Sequence, residues 1–542
     1  MHGVNERTSC KVHVNGLPVE TLTAILFYLS DPTAPIDEST LLERSRARLD
    51  LKSPPAFPKV RDFARLGWLP AAWACQKWRS VVLSQAHYRI PIMPHEELSL
   101  AVLASLSPLS VDLHIDEEEW IRNESAALTL ESIFQSYGHR MRSLHVWTSV
   151  RLQSMPASGS LLPNAMRDLD APALEEFQAV GKRRQLVRRG CLGPGFRDRY
   201  PRAISFPIRL SRSLRVLDLS ACTVANASAL RACAPITARI VACPGIWDRK
   251  SIRPDSGIIS DRDGVTAERF SIPFLFDALR YLHLDEDSMP SKEALAALGK
   301  ITLPVLEVLH LSGLLPKVQD TLEAFVFPQT ACVEIKSRLV RQTTNDQDAL
   351  EGELSSSPFY NALAAKYLNN AMSCAFITRM DLEVDDTSIT LACFSNDNDT
   401  RLSIHLYYEA SAARGRPTGI PNFILPAYES FLVGAFSVFS GVRELAVSSS
   451  SRRCQWCSLA TSRLSDVKKL VLDVQDIRPF LEFCGEMRAD GGRGEVFPVL
   501  EEVKLHVRHE FFVQATQLDR LLRAEQEARA QPFLVSFRET HY

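Results

Sequence analysis

One hydrophobic pattern returns along most of the chain: apolar, two residues, apolar, one residue, apolar. Clear copies are MRSLHV (141–146), LRVLDL (214–219), LRYLHL (279–284), LEVLHL (306–311), ITRMDL (377–382), VRELAV (442–447), VKKLVL (467–472) and LEEVKL (500–505). Weaker ones are SVDLHI (110–115), LEEFQA (174–179) and RLSIHL (401–406). The last two apolar positions lie two apart, so in a strand they face the same side, and the first enters from the preceding turn. Each copy predicts a short strand followed by an irregular or helical return, with helix-like text in SKEALAALGK, NALAAKYLNNAM and AYESFLVGAF. No such unit covers its own core, so neighbours must stack. Leu279 to Leu306 and Val467 to Leu500 are roughly 27 and 33 residues apart, within the range of solenoid periods. The gap from Leu214 to Leu279 spans about two units and predicts a degenerate copy inside it.

The first part of the chain has a different period. In GLPVETLTAILFYLSDP (16–32), Leu22, Ile25, Leu26 and Leu29 make one apolar helical stripe. Pro18 suits the first turn, Glu20 favours the positive end of the dipole, and Asp31-Pro32 ends the helix. A second helical stretch runs through GWLPAAWACQKWRSVVLSQAHYRI (67–90), with Trp68, Ala72, Cys75, Arg79 and Val82 on one face and Trp78 beside it. Between them, about 31–65 is rich in Pro, Ser and charge and predicts a flexible loop. Near the other end, VQATQLDRLLRAEQEARA predicts an amphipathic helix able to cap a stack.

Leu17, Pro18, Glu20, Leu22, Ile25 and Leu29, followed by Ala74, Cys75, Trp78, Arg79, Val81 and Leu83, resemble the F-box. The form with a Gly-Trp-Leu opening, a Cys-x-x-Trp-Arg helix and a polar insertion is similar to the F-box-like proteins of mushroom-forming fungi. The chain departs from that family at Tyr88, where Trp is usual, and at Thr21, where Leu is commoner. The later copies resemble a divergent leucine-rich repeat, with uneven lengths and without the usual Asn ladder. The resemblance implies a mixed α/β chain in three parts. These are a flexible start (1–15), an F-box (16–92) with its insertion at about 31–65, and a leucine-rich-repeat-like target-binding solenoid of short parallel strands and helices (93–542).

The same resemblance implies the substrate-recognition subunit of an SCF-type ubiquitin ligase, a subunit without catalysis of its own. Leu17, Pro18, Leu22, Ile25, Leu26 and Leu29, with Cys75, Trp78 and Val82, would meet the Skp adaptor. Through it the chain would join cullin and RING subunits, in the cytoplasm, the nucleus or both. The alternatives are a protein-interaction scaffold outside any ligase, or a redox or metal enzyme using Cys454/Cys457 or the strand histidines.

Within the strand copies, six of the 13 histidines sit between two apolar residues: His114, His145, His283, His310, His405 and His506. If the flanking apolar residues point inward, the histidine points to the solvent side of the sheet. In a leucine-rich-repeat horseshoe that side is the concave, partner-binding face. The expected target face is Trp147, Asp218, Tyr281, His283, Asp285, His310, His405 and Tyr407. A metal site would need several such rings and a carboxylate, for which Asp218 or Asp285 could serve. The uneven spacing works against that, and neither a metal nor a cofactor is expected.

Composition narrows the classes. Lys and Arg total 62 against 64 Asp and Glu, a net charge of −2, which predicts neither a nucleic-acid binder nor a charge-held membrane protein. The longest uncharged apolar stretches are too short to span a bilayer. The 12 cysteines are scattered, as expected of a reducing compartment. Cys454-Gln-Trp-Cys457 is a lone C-x-x-C without a second pair for zinc. KRRQLVRR (182–189) is the one dense basic run, readable as a nuclear-import patch or a solvated loop. The chain has no Walker, dinucleotide, nucleophile-elbow or zincin motif.

Overall fold

The computed structural model describes residues 89–92, 110–116, 124–149, 170–182, 202–204, most of 213–247, 272–339, 377–384, 388–395, 399–408, most of 431–449, 464–474, most of 497–508 and 534–540, with scattered positions elsewhere. The chain divides into two compact units, Met1–Tyr281 and Leu282–Tyr542.

The first unit contains β1 (Arg89–Ile92), β2 (Ser110–Asp116), helix α1 (Glu124–Tyr137), β3 (Met141–Ser149), β4 (Glu176–Lys182), β5 (Arg202–Ile204), β6 (Val216–Ser220), β7 (Cys222–Val224) and β8 (Thr237–Val241). Strands β1-β2-β3-β4-β6-β8 pair in that order, all parallel, and β5 and β7 form a separate parallel pair. The last two apolar positions of each copy build the core. Leu144 and Val146, Phe177 and Ala179, Leu217 and Leu219, and Ala238 and Ile240 have no exposed surface.

The first apolar position has a separate task. Leu174 donates its N–H to Ala171 O, and Leu279 donates to Phe276 O, closing a turn before the strand. The next residue then donates to the matching carbonyl of the preceding copy. Glu175 bonds Arg142 O at 2.7 Å, Arg215 bonds Glu175 O at 2.7 Å, Ile236 bonds Arg215 O at 2.8 Å and Arg280 bonds Ile236 O at 2.8 Å. Copy stacks on copy through this backbone ladder, which satisfies groups that burial would otherwise leave unpaired. Strand β8, TARIV, is the degenerate copy expected between Leu214 and Leu279.

The second unit takes up β9 (Tyr281–Asp285) from Leu282 onward. It continues with α2 (Lys292–Leu298), β10 (Ile301–Thr302), β11 (Val308–Leu314), α3 (Leu315–Ala324), β12 (Phe325–Val326) and β13 (Cys332–Leu339). Strands β14 (Ile377–Val384), β15 (Ser388–Ser395), β16 (Thr400–Tyr408), β17 (Glu444–Ser449), β18 (Lys469–Val474), β19 (Glu502–Arg508) and β20 (Leu534–Thr540) complete it. The sheet order is β9-β11-β13-β16-β15-β14-β17-β18-β19-β20. Helix α2 starts at a cap where the Ser291 side chain accepts from the Ala294 N–H, and it stops at Gly299, whose φ of 69° suits a residue without Cβ. Helix α3 opens with Pro316 and buries Leu315, Val318 and Leu322 beside β11 and β13.

One stretch departs from a run of parallel repeats. β14, β15 and β16 form an antiparallel meander. Its outer strands join the parallel sheet, β16 to β13 and β14 to β17, while β15 runs against both neighbours. ITRMDL and RLSIHL are therefore the flanks of a meander and not two successive repeats. SITLACFS between them carries the strict alternation of a strand, with Ile389, Leu391 and Cys393 buried. Helices are few among the described residues, so most strand returns described are turns and loops. The architecture is mixed α/β with a large, mostly parallel sheet in each unit.

Five cysteines are described as thiols outside any disulfide: Cys222, Cys233, Cys243, Cys332 and Cys393. Burial pushes the Cys233 thiol up to about 12 and pushes Cys393 up as well. The folded state thus holds a proton on Cys233 that the unfolded chain releases at lower pH, near 9.0. The stability Cys233 contributes is complete below that pH and is lost as pH rises toward about 12. Native protein at pH 8 is expected to leave Cys233 and Cys393 unalkylated by iodoacetamide, with both modified after unfolding in urea. Peptide mapping checks this, and equal native and unfolded labelling would show that the two thiols are not enclosed.

Candidate functional site

The residue between the two core positions of each copy points to the opposite face of the sheet, and the strand register brings these residues side by side. In the first unit, His114 is paired with His145, His145 with Gln178, Gln178 with Asp218 and Asp218 with Arg239. That register produces a hydrogen-bonded row. His145 Nδ1 lies 2.9 Å from Gln178 Oε1, Gln178 Nε2 donates to Asp218 Oδ2 at 3.0 Å, and Arg239 donates to Asp218 Oδ1 at 2.8 Å and to Ser220 Oγ at 2.8 Å. His145 Nε2 stands 3.5 Å from Glu176. The Asp218 carboxylate fixes the Gln178 amide with its nitrogen toward Asp218 and its oxygen toward His145. With that amide orientation His145 Nδ1 is the donor to the Gln178 oxygen.

The second unit carries a different row. The rings of His283 and His310 meet edge to face with centroids 4.2 Å apart, and His310 Nδ1 lies 3.0 Å from Glu334 Oε2. Beyond β13, Thr390 Oγ1 lies 2.9 Å from His405 Nδ1, His405 stacks on Tyr407 at 5.5 Å, and the Lys336 ammonium lies 5.5 Å from the Tyr407 ring centroid. Nearer the starts of the strands, charges alternate across the register: Arg379 opposite Glu444, Glu444 opposite Lys469, Lys469 opposite Glu502. Arg379 holds Asp381 through two bonds of 2.8 Å, which raise the guanidinium pKa above its usual value. Lys469 meets Glu444 at 2.9 Å and Lys504 meets Glu502 at 3.3 Å.

Alternation places the expected face residues opposite the core leucines, but exposure does not accompany it. Asp218 is 4% exposed, Tyr281 has no exposed surface and His283 is 7% exposed. His145 and His310 are half-buried. The solvent-side expectation therefore fails for Asp218, Tyr281 and His283. Parallel strands are commonly packed on both faces, and the neighbours on this face are buried too: Val216 and Thr237 in the first unit, Val308 in the second. Asp285 is half-exposed, and its carboxylate accepts from the Ser288 N–H in the turn after β9. His405 and Tyr407 keep partial exposure. Trp147 belongs to β3, but its side chain lies outside the described residues, as does that of His114.

Leu17, Pro18, Leu22, Ile25, Leu26, Leu29, Cys75, Trp78 and Val82 also lie outside the described residues, as do the 31–65 insertion, the basic run beyond Lys182, Cys454 and Cys457. Two described positions within the helical stretches, Thr21 and Ser80, are helical and exposed. Sequence reading missed Gln178, Arg239, Glu334 and Lys336. Gln178 lay in a weak copy and Arg239 in the hidden one. Glu334 and Lys336 stand in CVEIKS, whose alternation was legible although its spacing does not match the repeat.

Among the described residues, no group of three or more His, Cys, Asp or Glu side chains is placed to hold a metal ion, and no helix is long and apolar enough to cross a membrane. The chain matches no protein-family model and no curated protein sequence.

Proposed function

We propose that the chain is the target-recognising subunit of an SCF-type ubiquitin ligase. An F-box at 16–92 docks on the Skp adaptor and so on cullin and RING subunits. A leucine-rich-repeat-like domain at 93–542 holds a protein target. The observation that carries the reading is the order of two separated motifs, Leu17-Pro18-x-Glu20-x-Leu22 and then Cys75-x-x-Trp78-Arg79. The strands beyond these motifs support it, since they are mostly parallel, pair in near-sequential order and offer polar residues on a shared face within each unit. The chain performs no bond chemistry. It raises the local concentration of target lysines beside the charged ubiquitin carrier. Asp218 and Tyr281 brace the polar face of the first unit from within, and His283 that of the second. His405 and Tyr407, with Asp285 and His310 at its margin, are the residues a target can reach.

Replacing Leu22 and Ile25 together by Asp is expected to abolish capture of the Skp adaptor, because each carboxylate buried without a partner costs several kcal/mol. The strand units should keep their melting transition. Undiminished adaptor capture by this double variant would sink the F-box assignment. An interaction scaffold outside a ligase would use the same residues, and co-purification of cullin with the wild-type chain separates the two.

A further inference from the structure

We draw no further inference here: the strongest candidate, the side-chain cluster of His283, His310 and Glu334 on the polar face of β9, β11 and β13, belongs to the site already described, and among the described residues no second observation there points to a ligand or partner.

Discussion

Replacing Asp218 by alanine is expected to destabilise the first unit by about 3 kcal/mol, the low end of the range for breaking a buried ion pair. Its side chain is 5% exposed and accepts from both Gln178 and Arg239. Removal leaves the Arg239 guanidinium without its carboxylate and the Gln178 amide without its acceptor. Arg239 is 27% exposed, so water recovers part of the loss, which sets the estimate low in the range. A unit of this size loses roughly 2–4 °C per kcal/mol, so its transition should fall by roughly 6–12 °C. The two units need not unfold together, so hydrogen exchange of β4, β6 and β8 is the sharper reading. Asp218→Asn should cost about 1 kcal/mol, because the amide keeps one acceptor and turns one donor toward Gln178. Asp218→Leu with Arg239→Met should recover much of the alanine loss, since two matched apolar groups leave no charge stranded. Unaltered protection in the alanine variant would mean that the row contributes nothing to the unit.

How far the sequence foretold this arrangement depends on what each residue's state rests upon. Leu217 and Leu219, or Leu309 and Leu311, announce a strand face by spacing alone, and both pairs are core. Period-two alternation is local, so it survives without knowledge of the neighbours. TARIV escaped because Ala238 replaces the expected large residue, and only stacking against β6 makes it a repeat. ITRMDL and RLSIHL fitted the same local pattern. That pattern fixes which side chains face inward, not whether the next strand runs parallel or antiparallel. The site was legible to the same depth. Alternation put Asp218, His283 and His310 on the second face, whereas their burial and partners depend on cross-strand register, where a slip of one residue would invert every side chain. The N-terminal motifs are legible in sequence alone, since the described structure touches them only at Thr21 and Ser80.

Tyr281 and Tyr407 give the second large expected effect, because the sequence treats them alike and the structure does not. Each stands opposite the core residues of its own strand. Tyr281 has no exposed surface and ranks among the largest fully enclosed side chains, while Tyr407 is half-exposed between His405 and Lys336. Tyr281→Ala removes a whole ring from a closed space, at a cost of about 3–5 kcal/mol, comparable to other aromatic truncations in cores. Tyr407→Ala loses a stacking contact and a cation–ring contact that water partly replaces, about 1 kcal/mol at most. Thermal melts of the two variants should therefore differ by roughly 5 °C or more, with the Tyr281 variant the lower. Target capture should respond in the opposite sense: Tyr407→Ala should lower it at a temperature where the protein remains folded, whereas Tyr281→Ala should lower it only as far as unfolding does. A Tyr281 variant that melts like wild type yet loses its target would return that residue to the contact surface and show that the second face of β9 is open.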